Sequence, residues 1–282
     1  MSHCESTDRF DRRTFMRRAS LAAASATGFS LLRPSPARAG TEKIRVRVWA
    51  EGTAPPSIYP DDVDGAIGDS LRRLPGFDVQ QARLAMPEAG LSEQELDSTD
   101  VLIWWGRLRH GDLPDDRARS VAERVRAGRL GFVALHASCG SKPFQELMST
   151  SCEPGGWRED GRPEHVTILA PDHELARGVT RFTIPRTAMF SEPFKVPDPE
   201  TVVMVSKFEG GETFRSGLTW TVDKGRVVYF RPGHDAFPIL FHPSVRKIIA
   251  NAARWAAPAE LRDPSGTATR ETPTGPGPRQ PS

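Results

Sequence analysis

Two continuous apolar runs limit what this chain can fold into: Val101-Leu-Ile-Trp-Trp105 and Leu130-Gly-Phe-Val-Ala-Leu135. A strand that is apolar on both faces has to be covered on both faces, as happens in a parallel sheet lying between two helical layers. Between the runs, residues 114–127 place Val121 and Val125 on one face and stop at Gly128, which predicts a helix. Strand, helix, strand is the unit of an α/β sandwich. The segment before them continues the pattern. Residues 44–49 alternate apolar and polar as a first strand, 65–74 have helical spacing, and 77–84 form a second strand. Ser92 with Glu95 three residues on predicts a capping box.

The second half changes character. Residues 142–148 predict a helix and 149–162 a glycine-rich loop carrying Trp157. Short strands then follow at 165–169, 182–184, 202–208, 216–222 and 226–230, separated by Pro/Gly turns. Residues 244–255 form an amphipathic helix through Val245, Ile248, Ile249 and Ala252. Beyond 258 the chain is Pro, Gly, Thr and Arg with almost nothing to bury, so 259–282 are expected to be a disordered tail. The folded unit is expected at 40–258.

The first 39 residues differ again. They hold seven arginines against Glu5, Asp8 and Asp11, whereas the whole 282-residue chain carries a net charge of only +2. The remainder is therefore slightly acidic, and no basic face for nucleic acid is expected. Arg12-Arg13-Thr14-Phe15-Met16-Arg17 precedes a moderately apolar segment, and Ala37-Arg38-Ala39 follows it. That order is the order of a twin-arginine signal peptide over 1–39. The expected partner is the twin-arginine translocation machinery, and the expected address is periplasmic or secreted. The apolar segment is too short to remain as a membrane anchor. The mature chain keeps Cys139 and Cys152, whose spacing does not establish a bridge.

In open α/β sheets, ligands gather beyond the carboxyl ends of the strands. Three strand ends here deliver imidazoles. Val101–Trp105 leads to Gly106 and His110, the second run ends directly in His136, and residues 226–230 lead through Arg231-Pro-Gly to His234. Glu192, in Ser-Glu-Pro, is expected to fold over them. Neutral imidazole is suited to general acid–base work near neutral pH, so His110, His136, His234 and Glu192 are the candidate catalytic set. The same imidazoles and carboxylate are also ordinary ligands for a divalent metal, with His136, His234 and Glu192 as the candidate set. No close-spaced ligand motif accompanies them. Arg215 and Glu212, beside the Gly210-Gly211 turn, together with Arg231 and Trp157, are candidates for binding substrate. Arginine offers a bidentate fork and tryptophan a flat face. His136-Ala-Ser-Cys-Gly140 lies where a nucleophile elbow would, but the histidine takes the first position after the strand, which argues against acyl transfer.

Thr99-Asp-Val-Leu-Ile-Trp-Trp-Gly106 with His110, and Met148-Ser-Thr-Ser-Cys152 with Trp157-Arg-Glu159, resemble the ThuA (trehalose utilisation) family. So do Phe208-Glu-Gly-Gly-Glu-Thr-Phe-Arg-Ser-Gly217, Tyr229-Phe-Arg-Pro-Gly-His234 and Ile249-Ala-Asn-Ala-Ala-Arg-Trp255. The resemblance implies a flavodoxin-like three-layer sandwich with a central, mostly parallel sheet, similar to class I glutamine amidotransferases without their cysteine triad. It also implies a role in carbohydrate catabolism, on a disaccharide or a 3-keto sugar made by a partner sugar oxidoreductase. The reaction would be isomerase- or hydrolase-like; the alternative is a protein that binds sugar without turning it over. The family's polar rim carries over onto His110, His136, Glu192 and His234. This chain departs from the family at Ala137-Ser-Cys-Gly140, at Phe190-Ser-Glu192 in place of Tyr-Gly-Glu, and at His234-Asp235 in place of His-Glu.

Overall fold

In a computed structural model, residues 43–262 are described. The expected signal peptide and most of the expected tail lie outside them. One nine-stranded sheet runs through the described residues, in the order β2-β1-β3-β4-β9-β8-β7-β5-β6. Its first part consists of β1 (Ile44–Ala50), β2 (Phe77–Arg83), β3 (Val101–Trp105), β4 (Gly131–Leu135) and β9 (Gly225–Phe230), all paired in parallel. The order 2-1-3-4 and its continuation is that of flavodoxin-like sheets.

The rest is antiparallel. β8 (Thr213–Val222), β7 (Thr201–Phe208), β5 (Gly156–Ile168) and β6 (Phe182–Ser191) extend the sheet from β9 by hairpin-type pairing. The expectation of a mostly parallel sheet therefore holds for the first half only. The short Pro/Gly turns of the second half cannot accommodate crossover helices, so their strands return beside one another. The expected glycine-rich loop at 149–162 is corrected in the same way. From Gly156 onward it belongs to β5, whose pairing with β6 shifts register on either side of Arg162. Glycine, proline and alternating charges hid a strand that is largely exposed along its first half.

Helices α1 (Asp62–Arg72), α2 (Glu93–Asp97), α3 (Asp115–Arg126), α4 (Lys142–Met148) and α5 (Pro243–Ala256) cover the sheet. The capping box at Ser92 forms, with the Ser92 Oγ accepting from the Glu95 N–H and the Glu95 carboxylate accepting from the Ser92 N–H. Two apolar cores result, one on each face. Val101, Ile103 and Trp105 join Val245, Ile248 and Ile249 of α5 in one. Leu102 and Trp104 join Val121 and Val125 of α3 in the other. The wholly apolar β3 and β4 are wholly buried, as double coverage requires. The ordered chain passes Pro258 into a short α6 (Ala259–Arg262), where Leu261 packs against the first core. No helix among the described residues is long and apolar enough to cross a membrane.

Candidate active site

β3, β4 and β9 lie side by side, so their carboxyl ends share one rim. The chain leaves β4 through His136, whose φ of +54° puts a non-glycine residue in the left-handed region. Such a conformation costs of order 1 kcal/mol or more and persists only where neighbours enforce it. The neighbours are present. Tyr229 of β9 donates its hydroxyl to the His136 carbonyl at 2.9 Å. Ser138 accepts from the Gly106 N–H at 2.9 Å and donates to the Trp104 carbonyl at 3.0 Å, tying the elbow to the end of β3.

The loop after β9 is held from the same side. Trp105 donates its indole N–H to the Gly233 carbonyl at 2.8 Å. Gly233 has φ +151° and lies against His136, where a Cβ would come within 3.4 Å of the His136 Cβ. Together these contacts bring the two rings to 4.9 Å between centroids, with an edge-on tilt of 61°. Phe190 stacks on His136 at 5.2 Å.

The partners of each ring fix its proton. His136 Nδ1 lies 3.2 Å from the Arg231 carbonyl. A carbonyl only accepts, so Nδ1 carries the hydrogen and Nε2 keeps a lone pair. His234 is the reverse. Its Nδ1 accepts the Ala236 N–H at 3.0 Å, which leaves the proton on Nε2, 3.4 Å from the Glu159 carboxylate. One imidazole therefore offers an acceptor and its neighbour a donor.

Both rings stay neutral. Burial first, then the repulsion that protonation of both His136 and His234 would bring, then the charge of Arg231, holds His136 far below its ordinary proton affinity. Burial likewise takes His234 down to about 4, although the Asp235 carboxylate, 3.2 Å from its Nδ1, opposes the shift. Asp235 is itself paired with Arg107 at 3.0 Å. The unfolded chain takes up a proton near pH 6.5 at each histidine, whereas the folded chain takes it up at His234 only near pH 4. Stability is therefore full above pH 6.5 and falls on acidification toward pH 4, with His234 alone accounting for about 3 kcal/mol. Melting temperatures recorded from pH 7.5 to 4.5 are expected to fall, and His234→Gln should flatten the slope.

The two rings border a cavity of about 480 Å³. Phe190 and Arg107 flank its inner end, while Leu108 and Trp157, 60 % and 66 % exposed, stand at its mouth. The expected site residues divide accordingly. His136, His234 and Trp157 border the cavity. His110 stands behind the elbow. Its Nδ1 is 3.4 Å from the wholly buried Glu51, its ring hydrogen-bonds the Ala137 backbone, and burial lowers its proton affinity. A side chain at Gly106 would run into both, reaching within 2.8 Å of the Glu51 carboxylate and 3.2 Å of the His110 ring.

Glu192 does not join the histidines. Both its oxygens are held by Arg215, at 3.0 and 3.2 Å, and one also accepts the Phe194 N–H. Arg215 is thus committed to Glu192 rather than open to a ligand. Glu212 is committed to Arg158, which also reaches the Glu209 carbonyl, so this pair braces the β7–β8 turn against β5. Arg231 lies beneath the site. It is fully buried, paired with Glu164, and donates to Thr187 and to the Ala188 carbonyl. Arg231 does not line the cavity, and its guanidinium is spent on these partners, so its placement for binding substrate is corrected.

The metal expectation fails on geometry. Glu192, the carboxylate of the expected ligand set, is spent on Arg215. Among the described residues, no group of three or more His, Cys, Asp or Glu side chains is arranged to hold a metal ion. Cys139 and Cys152 are both free and buried, and burial raises their thiols to about 12 and about 11. Neither is an ionised nucleophile, and Ser138 has spent its hydroxyl on the elbow. The two imidazoles are placed for proton transfer.

Glu51, Arg107, Glu159 and Phe190 escaped the reading of the sequence. Glu51 follows β1 directly and Arg107 stands two residues past β3, so the strand-end rule that found the histidines also covered these. Glu159 and Phe190 belong to β5 and β6, which approach the rim only through the antiparallel extension.

The model of the trehalose utilisation (ThuA) family matches residues 48–256. No curated protein matches. Among solved structures, a ThuA-like protein from Parabacteroides merdae superposes with a TM-score of 0.60 at 14 % identity, over 83 % of this chain and 94 % of that one. A ThuA-like protein from Bacteroides uniformis gives 0.57 at 14 % identity, over 79 % and 95 %. A glutamine amidotransferase from Thermotoga maritima gives 0.44 at 13 % identity, over 67 % and 75 %. The fold shared with the two ThuA-like proteins and the span of the family match agree, and the chain belongs to the trehalose utilisation (ThuA) family.

Proposed function

We propose that this protein moves a proton on a keto sugar, with His136 as acceptor and His234 as donor. The observation that carries the reading is the pair of complementary tautomers 4.9 Å apart at one end of a cavity. Family membership supports a carbohydrate-related substrate. In the proposed step, His136 Nε2 takes the hydrogen from a hydroxyl-bearing carbon next to the carbonyl. The C–H electron pair becomes a C=C bond, and the carbonyl oxygen receives the hydrogen of His234 Nε2. Reversal at the neighbouring carbon moves the carbonyl by one position, so the reaction is an isomerisation with no net oxidation. Arg107 and Glu159 hold the His234 side of the pair in register, and Trp157 lies against the ligand at the mouth.

The substrate would come from a partner sugar oxidoreductase, and the twin-arginine pattern supports action in the periplasm or outside the cell. The test is proton NMR of 3-keto-trehalose in D₂O with the full chain. Loss of the signal beside the carbonyl, or a shifted carbonyl, is expected; neither appearing with any 3-keto sugar would sink the proposal. The lowered proton affinity of His136 favours a second reading, a protein that holds a keto sugar without turning it over. Calorimetric binding without deuterium exchange selects it.

A further inference from the structure

The outer half of the cavity is poorly equipped for a second sugar ring. Away from the histidines the lining includes Leu108, Trp157, Pro154, Ala137 and the two protonated cysteines, Cys139 and Cys152, with Gln145, Ser151 and Glu153 as its polar members. The polar groups among them are already engaged. Gln145 donates its amide to the Ser151 carbonyl at 2.9 Å, and Glu153 pairs with Lys195 at 2.8 Å and hydrogen-bonds the Ser151 side chain. A second hexose would bring several hydroxyls, and a hydroxyl stripped of water without a new partner weakens binding. A flat apolar group loses nothing there, and it would cover Leu108 and Trp157, otherwise the two most exposed large apolar side chains of the described residues.

We infer that the ligand is a glycoside with an apolar, planar aglycone, an aryl glycoside, whose sugar ring meets His136 and His234 and whose aglycone lies between Leu108 and Trp157. The inference rests on the proposed site but concerns its other end. The inner end sees the carbonyl, and the outer end sees what the sugar is attached to. Thiols kept protonated and an aromatic wall make that end a contact surface rather than a reactive one.

Calorimetry with the full chain tests it, using phenyl 3-keto-β-glucoside, methyl 3-keto-β-glucoside and 3-keto-trehalose as probes. The phenyl compound is expected to bind at least tenfold more tightly than 3-keto-trehalose. Trp157→Ala and Leu108→Ser, both at exposed positions that leave the core intact, should each cut phenyl binding by more than they cut methyl binding. Equal or tighter binding of 3-keto-trehalose overturns the inference, as does a phenyl preference that both variants leave untouched. Unoxidised phenyl β-glucoside separates the two proposals. If it binds as well as its keto form, the carbonyl reading at the histidines fails while the aglycone site stands. If keto sugars bind without regard to aglycone, the reverse holds.

Discussion

His136→Asn and His234→Gln are each expected to lower deuterium exchange into a 3-keto sugar by a factor of about 10² to 10⁴, the usual worth of a positioned acid or base. Neither should unfold the protein. Asparagine tolerates the left-handed conformation that His136 adopts at φ +54°, so the elbow keeps its shape. Glutamine at 234 still offers an acceptor to the Ala236 N–H, the contact that closes the loop. The two variants should also differ in kind. With His136 gone, nothing takes the proton. With His234 gone, the carbonyl oxygen loses its donor, and the defect should be partly hidden for substrates whose carbonyl is already activated. Circular dichroism and melting curves establish that both variants fold, and exchange rates then measure the chemistry alone. Unchanged exchange in both variants would remove these histidines from the chemistry.

The pH dependence of the same rate follows from burial. An imidazole of ordinary proton affinity would lose half its neutral form near pH 6.5. Here His234 stays neutral until about pH 4, and His136 is pushed well below 6.5 by burial and by the positive charge of Arg231 and Arg107. The rate should therefore be flat from pH 8 down to 6 and fall only on further acidification. Asp235 works against that shift without reversing it, because Arg107 neutralises it at 3.0 Å.

How far the site was legible follows from where its residues sit in the fold. The parallel half announces itself, because a doubly covered strand is apolar throughout, and the residue where it stops, such as His136 after Leu135, stands at the rim. Sequence therefore located the two central histidines. It could not pair charges. Glu192 and Arg215 are both polar loop or strand residues near the right part of the sheet, and only the approach of the end of β6 to the start of β8 shows that they satisfy each other. Arg231 misled for a related reason. Next to Pro232-Gly233 it looks like a rim residue, yet its side chain turns under the sheet, where Glu164 of β5 meets it across 67 positions of sequence. A buried partner at that separation leaves no local mark. The antiparallel extension was hidden because β5 reads Gly-Trp-Arg-Glu-Asp-Gly-Arg-Pro, polar and turn-like, and is held by its neighbours rather than by its own pattern.

That buried pair carries the largest expected effect on stability. Arg231 and Glu164 are both without exposed surface. Ser206 donates to the second Glu164 oxygen at 2.5 Å, and Thr187 accepts from Arg231 at 3.1 Å. Phe190 and Phe208 lie 5.3 and 5.0 Å from the guanidinium. Arg231→Met leaves the Glu164 carboxylate buried and uncompensated, so a loss of about 3 to 5 kcal/mol is expected, or roughly 10 °C in melting temperature. Glu164→Gln should cost less, because a neutral amide still accepts from Arg231, though the arginine then lacks its counter-charge. The double variant Arg231→Met/Glu164→Leu removes both charges and should recover most of the loss, which separates a charge left alone from mere loss of packing. A double variant as unstable as Arg231→Met would show that packing dominates. The pair also reaches the chemistry. Arg231 lowers the proton affinity of His136 through its charge while its backbone carbonyl fixes the His136 tautomer. The double variant keeps the carbonyl and loses the charge, so the acid limb of its exchange rate should move to higher pH with the plateau intact. A plateau that collapses instead would mean that Arg231 orients the ring as well as tuning it.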